Sequence, residues 1–248
     1  MAKKSIRGIC HICGIDGPLS EEHIPPKGAF NDQKMYVGKP ANGMPGGPDD
    51  IVDRKTVDGG VRMYTLCGNC NNNTGGWYAR AFIDWCHKGK NILERSGGKP
   101  ELVYCYQIRP LRVLKQIATM FFSVVGPDFS KRVPDLVKFV LNKEERYLPP
   151  DFRFFAYYNV GTERDHLRYA APIGILNIET REQSLFSEIT FSPFGYVMVL
   201  SNTTPPDRRL VEISHFAHYS YDAVRDIELP FAVLPTHFRL AGDYRKTN

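Results

Sequence analysis

Hydrophobic and polar positions change rhythm along this chain. Between residues 108 and 125, Leu111, Leu114, Ile117, Ala118, Phe121, Phe122 and Val125 recur at helical spacing, with Pro110 in the first turn where its missing N–H does no harm. That pattern predicts a mostly buried helix, and a shorter one is expected over 134–145. Beyond it the period shortens. The runs FRFFAYYNV, LRYAAPIGILNIE, SLFSEITF, GYVMVLSN, LVEISHFAHYSY and LPFAVL are rich in β-branched and aromatic residues and predict a mainly antiparallel sheet.

The first hundred residues are punctuated differently. Residues 6–26 read as a turn around CHIC, a glycine-rich bend at GIDGP and an extended piece ending in EEHIPP. From Gly38 to Gly60 the density of Gly, Pro, Asp and Asn predicts a long loop. VRMYTL then reads as a strand entering Cys67, and CNNNTGGWYARAFIDWCHKG as a helix from about Cys70, weakened at Gly75 and Gly76. A break at RSGGKP suggests two unequal units, residues 1–95 and 100–248. The fold class expected is α+β.

With 248 residues, 42% of them hydrophobic and 12% aromatic, the chain can build a sizeable core. No apolar run approaches the roughly 18 residues of a membrane span, and MAKKSIRGIC lacks the apolar stretch of a signal peptide. A soluble, cytoplasmic protein without membrane contact is expected. The net charge of +5 is modest, and residues 1–100 hold most of the excess, 14 Lys and Arg against 10 Asp and Glu. Phosphate contacts are compatible with it, and solvated surface lysines explain it equally well.

The cysteines change the picture most. Cys10 and Cys13 form one CxxC pair and Cys67 and Cys70 another, a spacing that lets two thiolates of a tight turn face one tetrahedral ion. One structural Zn²⁺ is expected, the alternative being a redox or disulfide role. A closed shell of four sulfurs has no open position for substrate, so any chemistry must come from elsewhere. Cys86 and Cys105 read as buried small side chains, Trp85 as core.

Between the pairs stands Glu22-His23-Ile24-Pro25-Pro26, and after the last cysteine Asn71-Asn72-Asn73. Together, CHIC, EHIPP and LCGNCNN resemble the zinc-stapled branch of the HNH (ββα-metal) endonuclease family over about the first 85 residues. The resemblance implies a treble-clef finger and a metal-dependent endonuclease acting on nucleic acid, DNA rather than RNA. In it His23 would be the general base, and Glu22 and Asn71 would hold a catalytic Mg²⁺ or Mn²⁺, for which hard oxygen donors are suited. Lys27, Lys34, Lys39, Arg54, Lys55, Arg62 and Arg80 are candidates to touch phosphate. Relatives common in bacteria and phages imply a role in defence, a homodimer would suit double-strand cleavage, and an activating protein partner is a further expectation.

In that family an Asn shortly before the second CxxC orients the base. VRMYTL has none, and Asn42 or Asn72 are the candidates to substitute. The missing Asn motivates an alternative in which the finger is a non-catalytic, zinc-stabilised module that binds nucleic acid or protein. Residues 100–248 are expected to set targeting or regulation.

Overall fold

A computed structural model describes residues 6–40, 51–97, 101–160, 168–176, 183–201 and 203–234. It shows a mixture of helices and antiparallel sheets, as an α+β chain should. No helix among these residues is long and apolar enough to cross a membrane.

The N-terminal part is a three-stranded antiparallel sheet in the order β1-β2-β5, formed by Arg7–Ile9, Asp16–His23 and Arg62–Cys67. The tight turn of CHIC joins β1 to β2. Gly14 closes that turn at φ +71°, a conformation that favours glycine, and its N–H donates to the Cys10 carbonyl at 2.9 Å. Strand β5 runs directly into helix α1, Gly68–Thr74. After α1, Gly75–Ala79 form a π-helical turn where the paired glycines weaken the helical pattern, and α2 continues over Arg80–Arg95. Helix α2 buries Ala81, Phe82, Trp85, Cys86, Gly89 and Leu93 along one side. A Cβ at Gly89 would lie 2.3 Å from the Phe194 ring, so only glycine lets the helix approach this closely.

The expected long loop is partly a hairpin. Strands β3, Met35–Pro40, and β4, Ile51–Val57, pair antiparallel, with Gly38 at a register slip between Val37 and Lys39. Glycine at an irregularity does not end a strand: Lys55 pairs with Val37 and Val52 with Lys39, and Asp53 and Arg54 lie between them at the slip. Strand β6, Glu101–Ile108, had no sequence forecast; it pairs antiparallel along its whole length with β12, Arg225–Ala232.

Helix α3, Pro110–Val125, occupies the middle of the molecule and buries every residue from Pro110 to Ser123 except Arg112. Two short helices follow, α4 at Phe129–Arg132 and α5 at Pro134–Leu141. The large sheet has the order β11-β7-β10-β9-β8, from Val211–Glu212, Phe152–Tyr158, Phe194–Leu200, Gln183–Phe191 and Arg168–Leu176. Strand alternation divides it cleanly. Phe154, Ala156, Tyr158, Phe194, Tyr196 and Met198 join the main core, while Phe155, Tyr157, Val197 and Val199 form a second cluster behind. LVEISHFAHYSY is not a single strand: after β11 it becomes a 3₁₀ helix, Ser214–His218, in which the consecutive residues Phe216 and Ala217 are both buried. A regular strand, which alternates its side chains between two faces, does not bury neighbours against one layer.

One hydrophobic cluster runs from Cys10 and Ile12 through Trp85 and α3 to Phe231. Trp85 is fully buried, stacks on Phe194 at 4.6 Å and donates its indole N–H to the Tyr196 hydroxyl at 3.1 Å. Cys86 is buried as expected, whereas Cys105 is exposed because it lies on the two-stranded β6–β12 ribbon.

Candidate functional site

The fold gathers Cys10, Cys13, Cys67 and Cys70, whose sulfurs all lie within 4.8 Å of one another. The first pair comes from the turn before β2, the second from the end of β5 and the first turn of α1. The His11 amide donates to the Thr65 carbonyl at 2.8 Å, fastening the first turn to β5. The His11 ring, through Nδ1, reaches the Ser123 and Phe122 carbonyls at 3.0 and 3.2 Å, tying the same turn to the C-terminal end of α3.

Such a cluster could hold a metal ion such as zinc. Three of the thiols are shifted, and not in the same direction. A hydrogen bond from Cys70 holds Cys10 down at about 4, while that bond and burial push Cys70 far above the ordinary thiol range, and burial raises Cys13. A cation among the four sulfurs would favour their thiolate forms.

Next to the cluster is a cleft of ≈ 230 Å³ lined by Glu22, His23, Lys27, Asn71, Gln116 and Thr119, among others. Strand β2 delivers Glu22 and His23, α1 delivers Asn71, and α3 closes the far wall. Opposite Glu21 the register slips, so that Ser20 faces Leu66 and Glu22 faces Met63. The extra residue on β5 brings Tyr64 to Glu21 and Thr65 to Glu22. Glu21 accepts from Tyr64 at 2.8 Å and Arg62 at 3.2 Å on the exposed side. Glu22 is only 8% exposed, and one of its oxygens, Oε1, accepts from the hydroxyls of Thr65 and, at 3.0 Å, Ser123. Burial pushes its carboxyl up to about 7 against the pull of those two hydroxyls, with Cys10 adding to the rise. A cation next to it would favour the ionised form.

His23 Nε2 lies 3.1 Å from the Gly59 carbonyl. A carbonyl can only accept, so Nε2 carries the hydrogen and Nδ1 keeps the lone pair of the neutral ring. The Asn71 amide nitrogen donates to Ser20 Oγ at 3.0 Å and to the Glu21 carbonyl at 3.1 Å, which leaves its Oδ1 as the unengaged end.

The residue that steadies the His23 hairpin is Asn31, which the sequence reading did not single out. It is fully buried; its Nδ2 donates to the Pro25 and Val61 carbonyls at 2.7 and 3.0 Å, and its Oδ1 accepts from the Val61 amide at 2.7 Å. Those bonds clasp the segment just after His23 to the start of β5. Gly60, beside the carbonyl that holds His23, sits at φ +89°, and a Cβ there would fall 2.0 Å from the Asn31 carbonyl oxygen. Of the two expected substitutes, Asn72 is exposed and Asn42 lies outside the described residues.

Lys27 is the phosphate candidate that lines the cleft, while Arg62 pairs with Glu21 and Arg80 with Asp84. Lys34 is exposed. The side chains of Lys39, Arg54 and Lys55 lie outside the described ones. A larger cavity of ≈ 420 Å³ lies elsewhere, between the segment around Arg146 and the 3₁₀ helix. There Arg153 pairs with Glu212 at 2.9 Å, and Ser214, His215 and His218 line the wall beside them.

Helix α3 places Gln116, Thr119 and Ser123 on one stripe, at i, i+3 and i+7. Thr119 Oγ1 donates to the Lys115 carbonyl at 2.8 Å and Ser123 serves Glu22. Gln116 is 6% exposed and its Oε1 is buried without any hydrogen-bond partner. An orphaned acceptor of this kind costs about 1–3 kcal/mol unless a ligand or water completes it. Together with Glu22 and Asn71 it makes the cleft rich in oxygen donors, a set that fits a hard divalent ion.

Compared with known protein families, curated proteins and solved structures, the chain matches none of them.

Proposed function

We propose that residues 1–95 form a zinc-stapled treble-clef finger of the HNH type, and that the protein is a metal-dependent endonuclease hydrolysing nucleic-acid phosphodiesters, with DNA the preferred substrate. The observation that carries this reading is the convergence of His23, Glu22 and Asn71 on one cleft at the foot of the cysteine cluster. A turn bearing one CxxC, a hairpin and a helix bearing the second is also the arrangement such a finger requires.

In this reading His23 is the general base: with Nε2 held by the Gly59 carbonyl, Nδ1 takes the proton of the attacking water. The Glu22 carboxylate and the Asn71 carbonyl hold a Mg²⁺ or Mn²⁺ ion, which supplies Lewis-acid stabilisation of the phosphate's developing charge. Lys27 stands at the cleft mouth to meet a neighbouring phosphate. The four-cysteine zinc fastens the turn and the helix and takes no part in the reaction.

A plasmid-cleavage assay with Mg²⁺ or Mn²⁺, zinc retained, tests this directly. Native cleavage should fall by about 10²–10⁴-fold in His23→Ala. Native protein that leaves both DNA and RNA intact would sink the nuclease reading.

A second reading rests on Glu22, whose burial and two hydroxyl partners are also what a purely structural acid would have. Here the finger is a zinc-stabilised binding module. It predicts nucleic-acid or protein binding without turnover and no divalent ion beyond the zinc.

A further inference from the structure

Helix α3 belongs to the part of the chain assigned to targeting or regulation, yet its polar stripe faces the cleft. Ser123 holds Glu22, and Thr119 lines the wall. Gln116 remains: it is 6% exposed, it is among the residues that line the same cleft, and its buried amide oxygen has no hydrogen-bond partner. That oxygen can only accept. The groups sharing the cleft with it include a carboxylate and the unengaged amide oxygen of Asn71, and a cation is a partner that can serve all three acceptors at once. Hard oxygen donors of this kind, one charged and two neutral, suit a small divalent cation that keeps other positions for water and phosphate.

We propose that Gln116 is a third protein ligand of the divalent ion held by Glu22 and Asn71, so that the metal site is shared between the finger and α3. The inference rests on the ion assigned under the nuclease reading and adds a ligand from outside the HNH-like segment. It gives residues 100–248 a direct part in the site: α3 supplies one ligand through Gln116 and orients another through Ser123. The finger alone would then hold its ion incompletely.

The test uses the full chain with its zinc retained. Mn²⁺ is titrated in while free Mn²⁺ is followed by electron paramagnetic resonance, and thermal unfolding is recorded without Mn²⁺. The native chain should bind one tight Mn²⁺. Gln116→Leu should weaken that site at least about tenfold, yet unfold at the same or a higher temperature, because an unpaired buried amide has been removed. Gln116→Met repeats the substitution with an unbranched side chain should leucine disturb the packing, and Gln116→Glu, which keeps an oxygen donor, should retain the ion. Native-like Mn²⁺ affinity in both apolar variants overturns the proposal, as does a native chain that binds no Mn²⁺. The two ideas fail separately. Mn²⁺ bound through Gln116 without any cleavage removes the nuclease reading alone, and cleavage with Mn²⁺ affinity indifferent to Gln116 removes the shared site alone.

Discussion

Ser123, in the last turns of α3, donates its hydroxyl to Glu22 Oε1 at 3.0 Å across 101 residues of sequence. The bond joins the strand that carries the candidate chemistry to the central helix of the core. It also means that an acid in the N-terminal segment depends for its orientation on a residue well beyond it. Ser123→Ala should leave Glu22 with Thr65 as its remaining donor and cost about 1–3 kcal/mol. Denaturant unfolding would show it as a lower midpoint with an unchanged slope; a midpoint equal to the native one would mean that the bond carries no weight.

Asn31 closes three hydrogen bonds in a fully buried position. Asn31→Asp keeps the size but turns two donors into acceptors facing the Pro25 and Val61 carbonyls. We expect a loss of about 3 kcal/mol or more, since an acceptor is then set against acceptors in a dry site. If the nuclease reading holds, cleavage should drop while zinc content stays at one per chain. Native stability in this variant would show that the clasp is dispensable.

The cysteine cluster predicts its own metal content. Purified protein should carry one zinc per chain by elemental analysis, and Cys70→Ser should lower it. A strong chelator should unfold the N-terminal sheet, because structural zinc in small fingers contributes on the order of 10 kcal/mol. Amide exchange in β1, β2 and β5 that is unaffected by chelation would argue against a stapling role.

Lys115 offers a pH test away from the cysteines. It is fully buried, and its ammonium donates to the Asn142 and Lys143 carbonyls at 2.6 and 3.2 Å. Burial pulls its pKa down to about 7, with Glu145 and Glu144 opposing. The folded value lies below the unfolded one, so between about pH 7 and 10.5 the unfolded chain binds more protons and stability rises with pH. Below about 7 the full penalty is present. Lys115→Met should therefore be most favourable relative to the native chain near pH 6–7. The difference should move toward the native chain by a few kcal/mol as pH approaches 10. A difference that stays flat across that range would contradict the account.

What could be read ahead of the structure follows physical locality. The CxxC pairs encode their geometry in a two-residue spacing, and α3 declares itself through seven apolar positions at one helical period. Strands β7, β9 and β10 are dense with aromatic and β-branched residues. Asn31 was missed because a short polar residue after a Pro-Pro turn looks like any other turn residue; its role appears only when Val61 arrives 30 positions later. Strand β6 escaped because its pairing partner, β12, begins 117 residues after β6 ends. The strand reading of residues 213–218 failed where two adjacent apolar residues were buried together.

Gln116, Thr119 and Ser123 show the same divide within one helix. Their spacing of three and four sets them on one face of α3, but the spacing does not say which segment that face meets. Sequence alone determined the metal-ligand spacing, the α+β balance and the presence of an acid and a histidine side by side, because each depends on residues near one another in the chain. Only the tertiary structure decided that Glu22 is buried under Ser123, that Asn31 clasps the His23 hairpin and that α3 walls the cleft. Those relationships depend on distance and desolvation between segments up to a hundred residues apart, and no local pattern records either.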